Sequence, residues 1–233
     1  MATQYANAKI VTNGLVLALD AADRNSYVSG SATWFDLSGN NNNGTLTNNP
    51  TFNSVNGGNL NFNRSNTTVS NSAPNLPSGN SPFTKSAWIN SGYKGTSSNH
   101  PNIISWGGNS ANNKNGLALQ TDTLNNPQIL QWFFANDYSC SINDITNTWA
   151  NITVTYQPPT LTFYLNGTNQ SIQTVTGTPA VSGSINLEVG IFNNSSTYAF
   201  SGSIANVQVY NRAISATEIT QNYNAQKSRF NLT

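Results

Sequence analysis

The fold is decided by a run in the second half of the chain, Ile152-Thr153-Val154-Thr155-Tyr156, in which apolar and polar residues alternate. Successive side chains of a β-strand point to opposite faces, so Ile152, Val154 and Tyr156 share one face. β-branched and aromatic residues of this kind also favour strands. The run therefore predicts a strand with one buried face.

A β-hairpin is predicted directly after this strand. Leu161-Thr162-Phe163-Tyr164-Leu165 runs into Asn166-Gly167, and a second strand leaves from Ser171. Asn-Gly supplies the two positive φ angles that a tight type I′ turn requires. Similar strand signals recur along the chain, at residues 15–19, 83–89, 102–106, 116–119, 129–134, 185–192 and 203–210.

Clusters of Gly, Asn and Pro separate these runs, and no alternation of strands with helices is present. This pattern predicts an all-β protein, an antiparallel sandwich of two sheets. A length of 233 residues suits one such sandwich. We therefore expect a single domain over 1–233, with an N-terminal arm at 1–13 and a C-terminal tail at 227–233.

One helix is predicted near the C-terminus. Ser215-Ala216-Thr217-Glu218 is a capping-box pattern, in which Ser215 binds the amide of Glu218 and Glu218 reaches back. Apolar residues follow at helical spacing. We expect a short helix over Ala216–Gln226 that docks on the sandwich.

The composition is poor in charge. Only 7% of the residues are Asp, Glu, Lys or Arg, against about 25% in an ordinary protein. The polar residues are instead Ser, Thr and about 40 Asn. Such a surface has little long-range field, which disfavours nucleic acid and anionic lipid as partners. Neutral glycans or other protein subunits fit better, and weak repulsion permits a homo-oligomer or a lattice.

Neither the N-terminus nor the cysteine content points to secretion. Met1-Ala2-Thr3-Gln4-Tyr5 is too polar for a signal peptide, and no apolar run approaches the roughly 18 residues of a membrane span. Cys140 is the only cysteine, so an internal disulfide is excluded. We expect either delivery without the secretory route or a signal segment that has been trimmed and replaced by Met, and we expect no membrane insertion.

Several motifs, in order, cover nearly the whole chain. They are Gly14-Leu15-Val16-Leu17-Ala18-Leu19-Asp20, Trp34-Phe35-Asp36-Leu37-Ser38-Gly39-Asn40, the segments 149–156 and 161–167, and Phe200-Ser201-Gly202-Ser203 through Ser215. Together they resemble the LamG-like jelly-roll family, within the concanavalin A-like lectin/glucanase superfamily. The resemblance implies a jelly-roll order for the two sheets.

Domains similar to this one occur in extracellular adhesins, in carbohydrate-active proteins and as stand-alone structural proteins of tailed bacteriophages. The beginning at residues 9–14 and the ending at residues 222–230 look like the phage type. The resemblance therefore implies a component of a virus particle, located on the virion surface. A secreted or cell-surface lectin of the adhesin type is the alternative.

Five residues are expected to have structural roles. Asp36 is read as a turn carboxylate that accepts backbone N–H bonds. Gly202 allows a close strand entry, and Arg212 pairs with a carboxylate or with carbonyls at the end of the last strand. Ser215 and Glu218 cap the helix.

Catalysis is not expected. A laminarinase-like glycoside hydrolase, the third hypothesis, needs two neighbouring carboxylates. The only glutamates are Glu188, in a predicted strand, and Glu218, in the helix cap. His100 is the only histidine, and with Cys140 it is too little for a zinc site. We therefore predict no enzyme activity.

No cofactor is expected either, although many relatives bind calcium. Those relatives often carry an acidic pair in the segment that matches residues 60–68. In this chain Asn63, Arg64 and Ser65 stand there, and Arg64 would repel a cation. Asp20 with Asp23 is the fallback calcium site.

A glycan site needs aromatic rings that stack on sugar faces and amides or carboxylates that bind hydroxyl groups. The best local cluster follows the predicted strand at 129–134, where Trp132 leads into Asn136, Asp137 and Tyr138. Tyr93 and Trp106 complete the candidate site if their strands are neighbours. The alternative for Trp106 and Trp132 is that they fill the core.

Overall fold

The computed structural model of the chain describes residues 9–65, 67–70, 75–96, 98–108, 113–133, 136–181, 186–193 and 195–233. Residues 1–8 of the expected N-terminal arm and Phe134 of a predicted strand lie outside the described residues. The strands are, in chain order, Leu15–Asp20 (β1), Thr33–Trp34 (β2), Gly44–Thr47 (β3), Thr51–Asn53 (β4), Asn59–Asn63 (β5), Thr67–Ser70 (β6), Phe83–Ser91 (β7), Asn102–Gly107 (β8), Lys114–Thr121 (β9), Pro127–Trp132 (β10), Asp137–Ser141 (β11), Trp149–Gln157 (β12), Thr160–Leu165 (β13), Thr168–Thr174 (β14), Leu187–Val189 (β15) and Ser201–Tyr210 (β16). One α-helix (α1) spans Ala216–Gln226, and short 3-10 helices span Val55–Gly57, Ser196–Tyr198 and Lys227–Phe230.

The strands form two antiparallel sheets, which confirms the predicted all-β sandwich. Sheet A has the order β14-β13-β12-β7-β16-β5-β4, with β1 also paired to β16. Sheet B has the order β11-β10-β9-β8-β15-β6-β3-β2. The hairpin between β13 and β14 turns at Asn166 and Gly167, whose φ angles are 51° and 75°. Both are positive, as the Asn-Gly sequence predicts.

The main core lies between the sheets. Ile152, Val154 and Tyr156 of β12 are buried in it, as their alternation predicts. Trp106 of β8 is fully buried there, packs edge-on against Phe83 of β7, and donates from its indole N–H to the carbonyl of Pro77 at 2.8 Å. Aromatic rings thus carry much of the packing between the layers.

The C-terminal segment covers the outer face of sheet A. Ser215 and Glu218 form the capping box that begins α1, which confirms the predicted helix. The segment expected as a loose tail continues instead as the 3-10 helix Lys227–Phe230, because Phe230 is buried. Its ring stacks on Trp88 of β7 at a centroid distance of 4.1 Å.

The outer face of sheet B carries its own aromatic cluster. Trp132 of β10 lies opposite Gly116 of β9, where a side chain of any size would clash with the indole. Phe192 and Tyr198 follow β15 and close over Trp132, with the Phe192 ring 4.4 Å away. In the described part of the chain, no helix combines the length and the apolar character of a membrane span.

Candidate functional site

Two depressions in the described surface flank one pair of aromatic rings at the edge of the sandwich. Tyr27 and Phe52 pack with a centroid distance of 5.6 Å and an angle of 36° between their planes. A depression of about 560 Å³ lies on one side of the pair and one of about 280 Å³ on the other. We call these two depressions together the edge groove. Its lining comprises Ala21, Ala22, Arg24, Tyr27, Val28, Ser29, Gly30, Ser31, Leu46, Asn49, Pro50, Thr51, Phe52, Ser54 and Gly57.

The groove exists because both sheets end on the same side. Sheet A ends at β4, which carries Phe52, and sheet B ends at β3 and β2, where Leu46 contributes to the wall. Tyr27 comes from the loop between β1 and β2. Asp23 holds that loop, since its carbonyl accepts the amides of Ser26 and Tyr27 at 2.9 and 2.8 Å. The rings therefore stand on backbone that is fixed locally.

An ion pair between distant parts of the chain ties the walls of the groove together. Arg229 donates to both carboxylate oxygens of Asp20, at 2.8 and 3.1 Å, and also to the carbonyls of Asn56 and Gly58. Burial raises the pKa of Asp20 above its ordinary value, although Arg229 opposes this. Gly58 has a φ of 141°, and a Cβ there would lie 2.6 Å from the carbonyl oxygen of Ala21. The groove is thus built at a close backbone contact that needs glycine.

The same contacts argue against the fallback calcium site. The guanidinium of Arg229 occupies the position beside Asp20 that a cation would take. Asp23 instead accepts the amide of Asn25 at 2.8 Å within its own turn. Among the described residues, no group of three His, Cys, Asp or Glu side chains could hold a metal ion. These residues do not fit calcium.

The surface of the groove combines exposed apolar groups with neutral polar ones. Val28 is 60% exposed. Val55, which lies between the lining residues Ser54 and Gly57 in the sequence, is 61% exposed. Hydroxyl and amide groups stand beside them, on Ser29, Ser31, Asn49, Thr51 and Ser54. Apolar surface with a few polar groups in a concave site is the usual composition of a small-molecule site. Arg24 adds one cation at the rim.

The structure corrects the predicted aromatic site. Trp106 fills the core, so its ring offers no surface to a ligand. Trp132 is 3% exposed, because Phe192, Tyr198 and His100 pack around it. The alternative reading, that these tryptophans are packing residues, fits both. The alternation along β10 does place Trp132 on the outer face, but a single sequence does not show that a later loop covers it.

Tyr93 lies apart from the other members of the predicted site. It lines a depression with Gln128 near the beginning of β10, and its ring lies 4.7 Å from the guanidinium of Arg64. Asp137 and Tyr138 lie at the other end of that strand, where β11 pairs them with Trp132 and Gln131. Gln128 and Trp132 are four residues apart in β10, which is about 13 Å along the strand at about 3.3 Å per residue.

The loop at 136–138 remains a predicted site in its own right. Asp137 is exposed and accepts the amide of Phe133 at 3.2 Å. The hydroxyl of Tyr138 is engaged with Thr176, whose amide donates to it at 2.7 Å. Asp137 therefore keeps one oxygen toward solvent, while the Tyr138 ring packs against the core.

Residues expected to be structural make many contacts. The carboxylate of Asp36 accepts the amides of Ala18, Ser38 and Asn42 at 2.8 to 3.0 Å. Gly202 lies so close to its neighbour strand that a Cβ would be 2.2 Å from the carbonyl oxygen of Asn90. These contacts pin β1 and β16, which lie next to each other in sheet A.

The two glutamates are far from a hydrolase arrangement. Glu218 binds Arg212 through both oxygens, at 2.6 and 2.9 Å, beside the helix cap. Arg212 lowers the pKa of Glu218 to about 2. Glu188 lies on sheet B, 3.1 Å from the ammonium of Lys114, whose pKa burial lowers. Each carboxylate is thus paired with its own cation, one on sheet B and the other beside the beginning of α1.

The sequence reading missed the residues of the edge groove. Tyr27 and Val28 lie in a loop of Asn, Ser and Gly, where periodicity gives no signal. Two adjacent apolar residues in such a polar loop were the available hint. Phe52 and Arg229 join them only through contacts across most of the chain.

Fold and groove together define a sandwich of the lectin class with a shallow site at its edge. The chain belongs to the Laminin_G_3 family of the concanavalin A-like lectin/glucanases superfamily, which it matches over residues 62–220. No curated protein sequence matches the chain significantly.

Solved structures share the fold at low sequence identity. Domain 4 of AbnA, a GH43 extracellular arabinanase from Geobacillus stearothermophilus, solved with arabinotriose, has a TM-score of 0.66 and 16% identity, over 90% of this chain and 98% of that one. The binding domain of Paraclostridial Mosquitocidal Protein 1 has a TM-score of 0.68 and 17% identity, over 92% and 52%. The ligand binding domain of botulinum neurotoxin serotype D, solved with N-acetylneuraminic acid, has values of 0.67 and 17%, over 93% and 52%. The chain spans about half of the two toxin domains, and these likenesses concern the fold alone.

Proposed function

We propose that this chain is a non-catalytic carbohydrate-binding module that holds a neutral glycan in the edge groove. The observation that carries the proposal is the groove itself, in which the partly exposed ring of Phe52 packs on the buried Tyr27 between two depressions, with exposed Val28 on the wall. A volume of about 560 Å³ lies within the roughly 300–1,000 Å³ of ordinary ligand sites.

The chemistry of the groove suits a sugar. Apolar C–H faces of a sugar ring pack on aromatic and aliphatic side chains, and its hydroxyl groups bind neutral hydroxyls and amides. Ser29, Asn49 and Ser54 supply such groups around the rings. The low charge of the chain favours a neutral ligand over an anionic one. The arabinotriose held by the AbnA domain supports this class of ligand.

We also propose that the module is displayed on a virion surface, beside other copies or other particle subunits. The support is the resemblance of both chain ends to phage structural proteins and a surface with few repelling charges. The competing function is a secreted or cell-surface lectin, which the likeness to a domain of an extracellular arabinanase favours. Counting copies in purified particles separates the two. Many symmetric copies support the virion role, and absence from particles removes it.

Glycan binding is tested with the full chain on an array of neutral oligosaccharides that includes arabinotriose. The best ligand is then titrated calorimetrically against Phe52→Ala and Val28→Ser. Loss of one stacking partner is expected to weaken binding about tenfold, or about 1.4 kcal/mol. Leu124→Ala is the matched control, since Leu124 is 81% exposed and lies outside the groove.

Two results would contradict the proposal. An array without any bound glycan would remove the carbohydrate function. Unchanged affinity in Phe52→Ala and Val28→Ser, with loss in Asp137→Ala and Tyr138→Ala, would move the site to the loop at 136–138.

A further inference from the structure

The core holds a lysine that glycan binding does not use. Lys85 is in β7, an inner strand of sheet A, between Val154 of β12 and Val209 of β16. Its side chain is fully buried and reaches across the sandwich toward sheet B. A buried ammonium without an anionic partner is costly, so such a residue calls for an explanation.

The surroundings of Lys85 favour the neutral amine. Its Nζ lies 5.0 Å from the ring centres of Phe83 and Trp106. Within the described part of the chain, no carboxylate pairs with it. Burial, and then the charge of Lys114, hold the pKa of Lys85 well below its ordinary value. A neutral, desolvated amine is a nucleophile.

The group that Lys85 contacts is an electrophile of the right kind. Its Nζ lies 2.7 Å from Oδ1 of Asn115 in β9, which is itself buried. Gln131 donates from Nε2 to the same oxygen at 2.9 Å. Gln131 thus polarises this carbonyl, and its hydrogen bond stabilises the negative charge that develops on the oxygen when Nζ moves to the carbon. The amide carbon is only one carbonyl bond, about 1.2 Å, beyond the oxygen that Lys85 already contacts.

We propose that Lys85 and Asn115 form an isopeptide bond that joins the two sheets. The lone pair of Nζ attacks Cγ of Asn115, and the Nζ–Cγ bond forms. The Cγ–Nδ2 bond breaks, one Nζ proton moves to Nδ2, and ammonia leaves. The product is a secondary amide, both reactants are neutral, and no oxidant or other co-reactant is needed. Gln131 is a positioning residue that binds the oxygen throughout.

The proposed bond would link the two sheets of the sandwich covalently. It joins β7 to β9 through the centre of the sandwich, where apolar side chains of the two sheets pack against each other. The single cysteine excludes an internal disulfide, which would be the usual covalent link. A cross-link of this kind restricts the unfolded chain and resists separation of the sheets.

The test is the intact mass of the purified full chain under denaturing conditions, followed over days at mildly alkaline pH. The expected mass is lower than the sequence mass by one ammonia, and digestion yields a branched peptide that contains Lys85 and Asn115. Gln131→Leu is expected to form the bond about a hundredfold more slowly, because one donor to the oxyanion is lost. Lys85→Met is expected to keep the full mass.

Asn115 precedes Gly116, so a succinimide at that site would also release ammonia and must be distinguished. A succinimide hydrolyses at alkaline pH and joins no second peptide, whereas the isopeptide persists. The proposal is overturned if folded wild-type chain keeps its full sequence mass throughout. It is equally overturned if the mass deficit survives in Lys85→Met or if no branched peptide is found.

Discussion

The outer face of sheet A and the edge groove both carry aromatic and apolar side chains, but these are buried in the first region and partly exposed in the second. On sheet A, Trp88 is fully buried beneath Phe230 and Tyr223, whose rings stack on it at 4.1 and 5.6 Å. In the edge groove, Phe52 is only partly buried, and Val28 beside it is 60% exposed. The chain covers one aromatic surface with its own C-terminus and leaves the other open.

Two neighbouring residues connect the regions. Phe230 closes the face of sheet A, while Arg229 reaches Asp20, Asn56 and Gly58 at the wall of the groove. The segment that seals the first surface therefore also shapes the second. In the groove, the Phe52 ring stays partly exposed beside Val28, and the proposed glycan would cover this apolar surface.

The largest expected effect on stability comes from a substitution in the C-terminal segment that covers the outer face of sheet A. Phe230→Ala removes the ring that stacks on Trp88 and Trp149 and leaves a cavity. The free energy of unfolding is expected to fall by about 3–5 kcal/mol, measured by urea denaturation. Leu124→Ala should change it by less than about 0.5 kcal/mol, because that side chain is exposed. Equal effects of the two substitutions would mean that the C-terminal segment does not hold the fold.

A smaller effect is expected where the two regions meet. Arg229→Met keeps an apolar stem but leaves the half-buried carboxylate of Asp20 without its counter-charge. The expected loss is about 1–3 kcal/mol in the free energy of unfolding, between the ranges for exposed and buried pairs. Glycan affinity should fall as well, since Asn56 and Gly58 lose their donor.

A double variant sharpens that prediction. Adding Asp20→Asn to Arg229→Met removes the unpaired charge and should recover part of the stability. It should not recover the affinity, because the contacts to Asn56 and Gly58 stay lost. If stability and glycan affinity both recovered, the contacts of Arg229 with Asn56 and Gly58 would not be needed to shape the groove.

Local patterns in the sequence were enough for the sandwich itself. Alternation located β12 and β13, Asn166-Gly167 located the hairpin turn, and the capping box located α1 to the residue. Of the strand predicted at 185–192, Ile185 lies outside the described residues; the described strand is Leu187–Val189, and it ends there because Gly190 has a φ of 79°. Each of these features depends on neighbours in the chain.

The sites depend on contacts between distant residues, and a single sequence does not show those. Trp132 was a candidate site residue with packing as the alternative, and Phe192 and Tyr198, sixty or more residues further along the chain, cover it. Asp20 and Arg229 are 209 positions apart. Lys85 shares its parity with Phe83 and Ala87 on the buried face of β7, but its contact with Asn115 is seen only in the folded structure.

The smallest effect is expected at the ion pair between Arg212 and Glu218, which holds α1 over the outer face of sheet A. Glu218 accepts both guanidinium nitrogens of Arg212 and caps the helix, and its pKa is lowered to about 2, mainly by Arg212. A depressed carboxyl pKa adds stability above the ordinary value of 4.5, and this stability is lost as the pH falls toward 2. Glu218→Gln should therefore cost about 0.5–1 kcal/mol near neutral pH and nothing near pH 2, measured by urea denaturation along a pH series. Glycan affinity should not change, because neither Arg212 nor Glu218 lines the edge groove. A pH-independent difference between the two proteins would show that the side chain acts by packing and not by its charge.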